Sequence, residues 1–180
     1  MAAGILIDLD TLVVQRAGHP AAVEEAPVAL RRIGWIGRPI ILVGRQVAGR
    51  NLPDDAAERE AWVRASIGTG AYAVVPFDPS EDRARRQDQE AVEGWRQVRE
   101  AHEGTWLLTG RHRHVGPARQ AGLKVILIGP TDPQPRNHRP DYRARDLRDA
   151  VGHLLTVDVF AGPTAASASA RPLGEPGTGA

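Results

Sequence analysis

The chain has 180 residues, 42% of them hydrophobic and 25% charged, a composition that supports a packed core and excludes a disordered or fibrous protein. Lys and Arg number 23 against 22 Asp and Glu, so a net charge near +1 gives no general attraction to nucleic acid or to a membrane surface. With no cysteine, disulfides, cysteine–zinc sites and thiol catalysis are excluded.

The opening Met1-Ala2-Ala3-Gly4 carries no basic region, and the apolar run after it stops at Asp8, which is unlike a signal peptide. Residues 4–8 instead read as a buried parallel strand. Residues 27–33 then place Val28, Leu30 and Ile33 at helical spacing. A second strand covers 39–43 and is closed by Gly44. Residues 53–67 read as a helix with Asp54 and Asp55 in its first turn, where the helix dipole favours acids. A weaker strand follows at 71–75. Residues 81–102 form a long charged helix with Ala91, Val92, Trp95 and Val98 on one stripe. The third main strand is 105–108, closed by Thr109-Gly110. A short helix over 115–121 ends at Gly122, a C-cap signal. The fourth main strand is 124–128 and the last helix 146–155. From about residue 161 the chain is Ala, Ser, Gly, Pro and Thr without period. The expected division is therefore a globular domain over 1–160 and a flexible tail over 161–180. No apolar stretch approaches the roughly 20 residues that span a bilayer, so a cytoplasmic protein is expected.

Strands alternating with helices imply right-handed crossovers: a three-layer, Rossmann-like, doubly wound parallel sheet. Ligands in such sheets bind beyond the carboxyl ends of the strands, which directs attention to the loops after Ile7, Val43, Val75, Leu108 and Ile128. Asp8 and Asp10 stand at the first of these. Two carboxylates brought together at a strand tip repel, so a cation should sit between them, either a metal ion or an arginine. Alternatively they are solvated turn residues.

The order of the motifs adds to this. Ile5-Leu6-Ile7-Asp8-Leu9-Asp10-Thr11-Leu12 resembles the first motif of the haloacid dehalogenase (HAD) superfamily, an Asp-x-Asp after strand one. The second strand and its loop, through Gly44-Arg45-Gln46 to Gly49-Arg50, resemble the second motif of that superfamily's histidinol-phosphatase and heptose-bisphosphate phosphatase branch. The stretch 72–86, with Pro76, Pro79, Glu81 and Asp82, is similar to the loop before the branch's catalytic lysine. Residues 105–124, through Thr109-Gly110-Arg111-His112-Arg113-His114, follow the fourth motif. Asp141-Tyr142 and Asp146-Leu147 resemble the closing strand and helix. The likeness covers residues 4–155 and includes no large insertion between the first two motifs, so no large cap domain is expected.

The resemblance implies an aspartyl-phosphate mechanism with Asp8 as nucleophile and Asp10 as general acid and base. It implies Mg²⁺ held by Asp8, Asp10 and an acid of the fourth motif, because phosphoryl transfer is mostly positioning and charge neutralisation. The departures from the pattern are large. Gly44 stands where a phosphate-binding Thr is usual, leaving backbone N–H groups, Arg45 and Arg86 as candidate phosphate contacts. Gly110 and His114 stand where metal-binding Asp residues are usual, so the third metal ligand is missing. Lys124, the only lysine, begins its strand at the wrong end of the sheet for catalysis. The branch's zinc loop has lost its ligands, so no zinc is expected. Arg45 or Arg111 is expected in the space of the missing metal, paired with Asp8 or Asp10.

The remaining residues read more plainly. His112 and His114 form a His-x-His pair in a loop without an evident third ligand, and His19, His102, His138 and His153 read as surface residues. Trp35, Trp62, Trp95 and Trp106 read as core or interface packing, and Arg83, Arg85, Arg86 and Arg96 as a solvated helix face. Segment 130–145 is a connection that could rim the pocket. The function expected is a HAD-like phosphatase fold with an incomplete catalytic set, acting as a binding or regulatory module. Magnesium would be weakly bound or absent, and the partner a small phosphorylated metabolite or a protein, neither nucleic acid nor membrane. The alternative is a Mg²⁺-dependent phosphomonoesterase acting on a small phosphorylated metabolite.

Overall fold

A computed structural model describes residues 4–17, 19–47, 50–68, 70, 72–77, 87–130 and 139–161. In chain order its first half holds β1 (Gly4–Asp8), a 3-10 turn (Leu9–Thr11), a hairpin of β2 (Val13–Arg16) and β3 (His19–Ala22), α1 (Ala26–Trp35) and β4 (Ile40–Val43). A second small hairpin of β5 (Gln46–Val47) and β6 (Arg50–Asn51) follows, then α2 (Ala56–Ile67) and β7 (Tyr72–Val75). The second half holds α3 (Gln87–Ala101), β8 (Gly104–Thr109), α4 (His112–Gln120), β9 (Lys124–Ile128), β10 (Tyr142–Ala144) and α5 (Leu147–Ala161).

Six strands make one parallel sheet in the order β10-β9-β8-β1-β4-β7. The chain therefore winds outward from β1 through β4 to β7, then returns to β8 on the other side of β1. That reversal puts a crevice beyond the carboxyl ends of β1 and β8, where this class of sheet binds ligands.

The strand residues alternate between two cores, as a period of two requires. Ile5, Ile7, Leu42, Leu108 and Ile126 pack with α1, α2 and α5, through residues such as Ile33, Val63 and Leu154. Leu6, Ile41, Leu107, Val125 and Leu127 pack with α3 and α4, through residues such as Trp95, Val98 and Val115. The result is the expected three-layer sandwich. Among the described residues no helix is long and apolar enough to cross a membrane.

Several local expectations need correction. Asp55 is not inside the first turn of α2 but caps it, its side chain accepting from the Glu58 N–H at 2.9 Å, while buried Arg59 ties the approach by donating to the carbonyls of Pro53 and Asp54. Helix α4 begins at His112, three residues earlier than its apolar spacing suggested, so the His112 and His114 pair is helical rather than in a loop. It ends as expected: Gly122 sits at φ 87° and the Leu123 N–H returns to the Ala118 carbonyl at 3.0 Å. Helix α5 runs through Ala161, beyond the expected end at Leu155, and the rest of the proposed tail lies outside the described residues. The hairpin β2–β3, between the first two motifs, had no strong alternation to announce it. Of the core and interface alternatives for the tryptophans, exposed Trp35 is not in the core.

Gly4 starts β1 where nothing larger fits: a Cβ there would lie 2.6 Å from Ile41 Cδ1 and 2.7 Å from the His102 carbonyl oxygen. Gly4→Ala should therefore destabilise the fold by about 1–3 kcal/mol, since backbone must move. Urea unfolding of the full chain measures this.

Candidate functional site at the β1–β8 crevice

Strand parity assembles the site. Asp8 is two residues after Leu6, and Thr109 two after Leu107, so both leave their strands toward the α3–α4 face. There the first turn of α4 delivers His114. The three are 3%, 0% and 3% exposed, a burial unusual for polar residues and tolerable only with partners.

Each oxygen of the Asp8 carboxylate has donors. Oδ1 accepts from the Asp10 N–H at 3.2 Å, the side-chain cap of the 3-10 turn. Oδ2 accepts from the Thr109 hydroxyl at 2.9 Å and lies 3.1 Å from His114 Nδ1. Thr109 Oγ1 in turn accepts from the Arg111 N–H at 3.0 Å and stands 3.3 Å from the same Nδ1. Because the hydroxyl proton is committed to Asp8, both oxygens facing Nδ1 are acceptors, which assigns the proton to Nδ1. The His114 ring is steadied by Trp95, edge-on at 5.5 Å between centroids. Outside the carboxylate, the Thr11 hydroxyl donates to the Asp8 carbonyl at 2.6 Å and closes the turn.

Arg111 supplies the cation. Its Nη2 pairs with Asp10 Oδ2, and its Nε lies 3.9 Å from Asp8 Oδ2, so one guanidinium faces both acids. Burial holds this guanidinium below its usual pKa; Asp8 opposes that shift and Arg113 adds to it. An arginine remains charged at neutral pH under such influences. The α4 N-terminus adds no acid of its own and has no side-chain cap.

The other predicted residues lie as follows. Gly44 is buried and its N–H is committed to the Val75 carbonyl at 3.1 Å, so it does not offer that donor to an anion. A Cβ there would meet Leu9 Cβ at 3.2 Å, which explains a glycine beneath the Asp-x-Asp turn. Arg45 follows it as an exposed residue. Arg85 and Arg86 fall outside the described residues, as does most of the 130–145 segment. Gly110 is exposed and bears no ligand. Lys124 stands at the opposite end of the sheet, its amine 5.3 Å from the Trp106 ring centre. His153 stacks on Tyr142 at 3.7 Å, away from the crevice.

Among the described residues no group of three or more His, Asp or Glu could hold a metal ion. A magnesium-type ion needs hard oxygen ligands in a near-octahedral set. Here the candidate third ligand is Gly110, His114 presents a protonated nitrogen, and a guanidinium already faces both acids. The donor set of the described residues does not fit that ion.

Compared by sequence, the chain matches no family model and no curated protein. Compared by structure, it matches D,D-heptose 1,7-bisphosphate phosphatase from Burkholderia thailandensis at TM-score 0.60 and 16% identity, over 86% of this chain and 99% of the other. The same enzyme from B. bronchiseptica, solved with magnesium and phosphate, matches at TM-score 0.55 and 18% identity, over 88% and 100%. An L-2-haloacid dehalogenase matches at TM-score 0.56 and 15% identity, over 76% of this chain and 57% of that one. The chain has a HAD-like fold. Within this HAD-like fold, the sequence reading missed the hydroxyl of Thr109 and the inward aim of His114. The shared parity of Leu6-to-Asp8 and Leu107-to-Thr109 was the signal that could have found Thr109.

If the guanidinium holds the two acids together, its loss should cost stability. Arg111→Ala is expected to lower unfolding free energy at pH 7 by roughly 2 kcal/mol, between the values for exposed and buried pairs. Adding Asp10→Asn should recover part of that loss in the same urea titration, because one of the two facing charges is then gone.

Proposed function

We propose that this chain is a HAD-like module without efficient phosphoryl transfer, serving to bind or regulate. The observation that carries the reading is Arg111 facing Asp8 and Asp10 together. An arginine in that place permanently offsets one of the two acid charges, whereas a divalent ion would match both and also polarise a phosphoryl oxygen. A second support is the state of Asp8: its Oδ2 already meets the Thr109 hydroxyl and His114, so attack on phosphorus would fall to Oδ1, which accepts from the Asp10 N–H. Removing one pre-organised charge-stabilising group commonly costs a factor of about 10²–10³. The Thr and the acid of the usual pattern are both replaced, by Gly44 and Gly110.

The retained Asp8 and Asp10 at the tip of β1 favour a second reading, a Mg²⁺-dependent phosphomonoesterase for a small phosphorylated metabolite. The two separate cleanly. With p-nitrophenyl phosphate and Mg²⁺, we expect the same background from the wild type and from Asp8→Asn, and no heat of Mg²⁺ binding. Turnover abolished by Asp8→Asn would establish the enzyme instead.

Space does not forbid a metal ligand. A Cβ on Gly110 would make only ordinary contacts, at 3.7 Å to the Ile128 carbonyl oxygen and Thr11 Cγ2. The double substitution Gly110→Asp with Arg111→Ala should therefore create calorimetrically detectable Mg²⁺ binding that requires Asp8. Absence of binding in that folded variant would mean that the charge argument is insufficient.

A further inference from the structure

Helix α1 buries one stripe, Ala26, Ala29, Leu30 and Ile33, against the sheet. Its outer face is anomalous. Trp35 is 82% exposed and Val28, seven residues earlier and so on the same side, is 50% exposed. A lone exposed valine needs no explanation, but an indole in water two turns along the same helix side from another exposed apolar residue marks a contact surface.

The charges on this helix are ordered as well. Glu24 and Glu25 stand at its beginning, Arg31 and Arg32 near its end. No ion pair within the described residues engages any of the four. The helix dipole accounts for the sign at each end but not for the exposed indole between and beyond them. The helix also stands as a ridge between two hollows. One, of about 730 Å³, is bounded by Pro27, Leu30, Arg31 and Gly34 with Pro39 and Tyr72. The other, of about 620 Å³, is bounded by Val28, Ala29 and Arg32 with Glu24, Glu25 and Arg148. A Cβ on Gly34 would touch nothing within 4 Å, so this flank is open to close approach.

We propose that the occupant of this face is a second copy of the same chain, with the two α1 helices antiparallel across a twofold axis. A twofold interface must be complementary to itself. Antiparallel α1 helices satisfy this, because the acidic beginning of each meets the basic end of the other and the dipoles oppose. A ridge flanked by hollows is likewise its own counterpart. Trp35 supplies the kind of aromatic anchor that dominates interface energetics, with the partner copy's arginines able to lie against its face. Nucleic acid or an anionic membrane fits worse, since Glu24 and Glu25 would face phosphates. The net charge near +1 leaves no strong repulsion between copies. This inference is independent of the reading of the β1–β8 crevice.

Sedimentation velocity of the full chain tests it. The wild type should be a dimer that weakens with added salt. Trp35→Ser, which removes no core contact, should raise the dissociation constant at least about tenfold, the size of a modest hot spot. E24R/E25R makes the helix uniformly basic and R31E/R32E makes it uniformly acidic, so each alone should be monomeric. Mixed in equal amounts, those two should form a heterodimer. A wild type that stays monomeric at high concentration overturns the proposal. So does a dimer indifferent to Trp35→Ser, or a mixture that remains monomeric while circular dichroism shows both variants folded.

Discussion

Two carboxylates at the end of one buried strand repel each other, so both stay ionised there only if a positive charge faces them, and the crevice is organised around that demand. The winding of the sheet places Asp8 beside the tip of β8, so whatever follows Thr109 is positioned to meet it. In this chain the residue that follows Gly110 is an arginine. Its backbone N–H fixes the Thr109 hydroxyl and its side chain faces both acids. One residue thus sets the orientation of a donor to Asp8 and also the local charge balance. The same short segment begins α4 and brings His114 under the carboxylate.

Much of this architecture was legible in the sequence because buried parallel strands are short, uniformly apolar and closed by glycine or a polar turn. Ile5 to Ile7, Ile40 to Val43 and Val125 to Leu127 have no other plausible environment. The pairing of Arg111 with the acids could be anticipated as one of two arginine options, on charge alone. The hairpin β2–β3 was not legible: His19-Pro20-Ala21-Ala22 has none of the β-branched or aromatic residues that advertise a strand. The start of α4 was hidden because His112 and Arg113 carry no apolar signal, and its first turn is polar by position rather than by exposure. The aim of His114 follows from that start, so the same silence hid the ring under Asp8.

The comparison with solved structures is informative in its unevenness. Chains that share only 16% and 18% identity with this one share its course over more than four-fifths of its length. The hydrophobic alternation of the strands is enough to preserve such a course, since many apolar sequences fill the same layers. The tip of the sheet is governed differently. A glycine at 44, packed on Leu9, and a glycine at 110, with room around it, are departures of opposite kinds: the first is held by sterics, the second is not.

The placement of Lys124 has a practical meaning. It is the single lysine of the chain, and it stands at the beginning of β9 over the Trp106 ring, at the end of the sheet remote from Asp8. Amine-reactive chemistry directed at side chains therefore has one address, and that address is far from the crevice. A fluorophore or surface tether attached there would leave the acids, Thr109 and Arg111 chemically untouched, and its emission would report from beside a fixed indole.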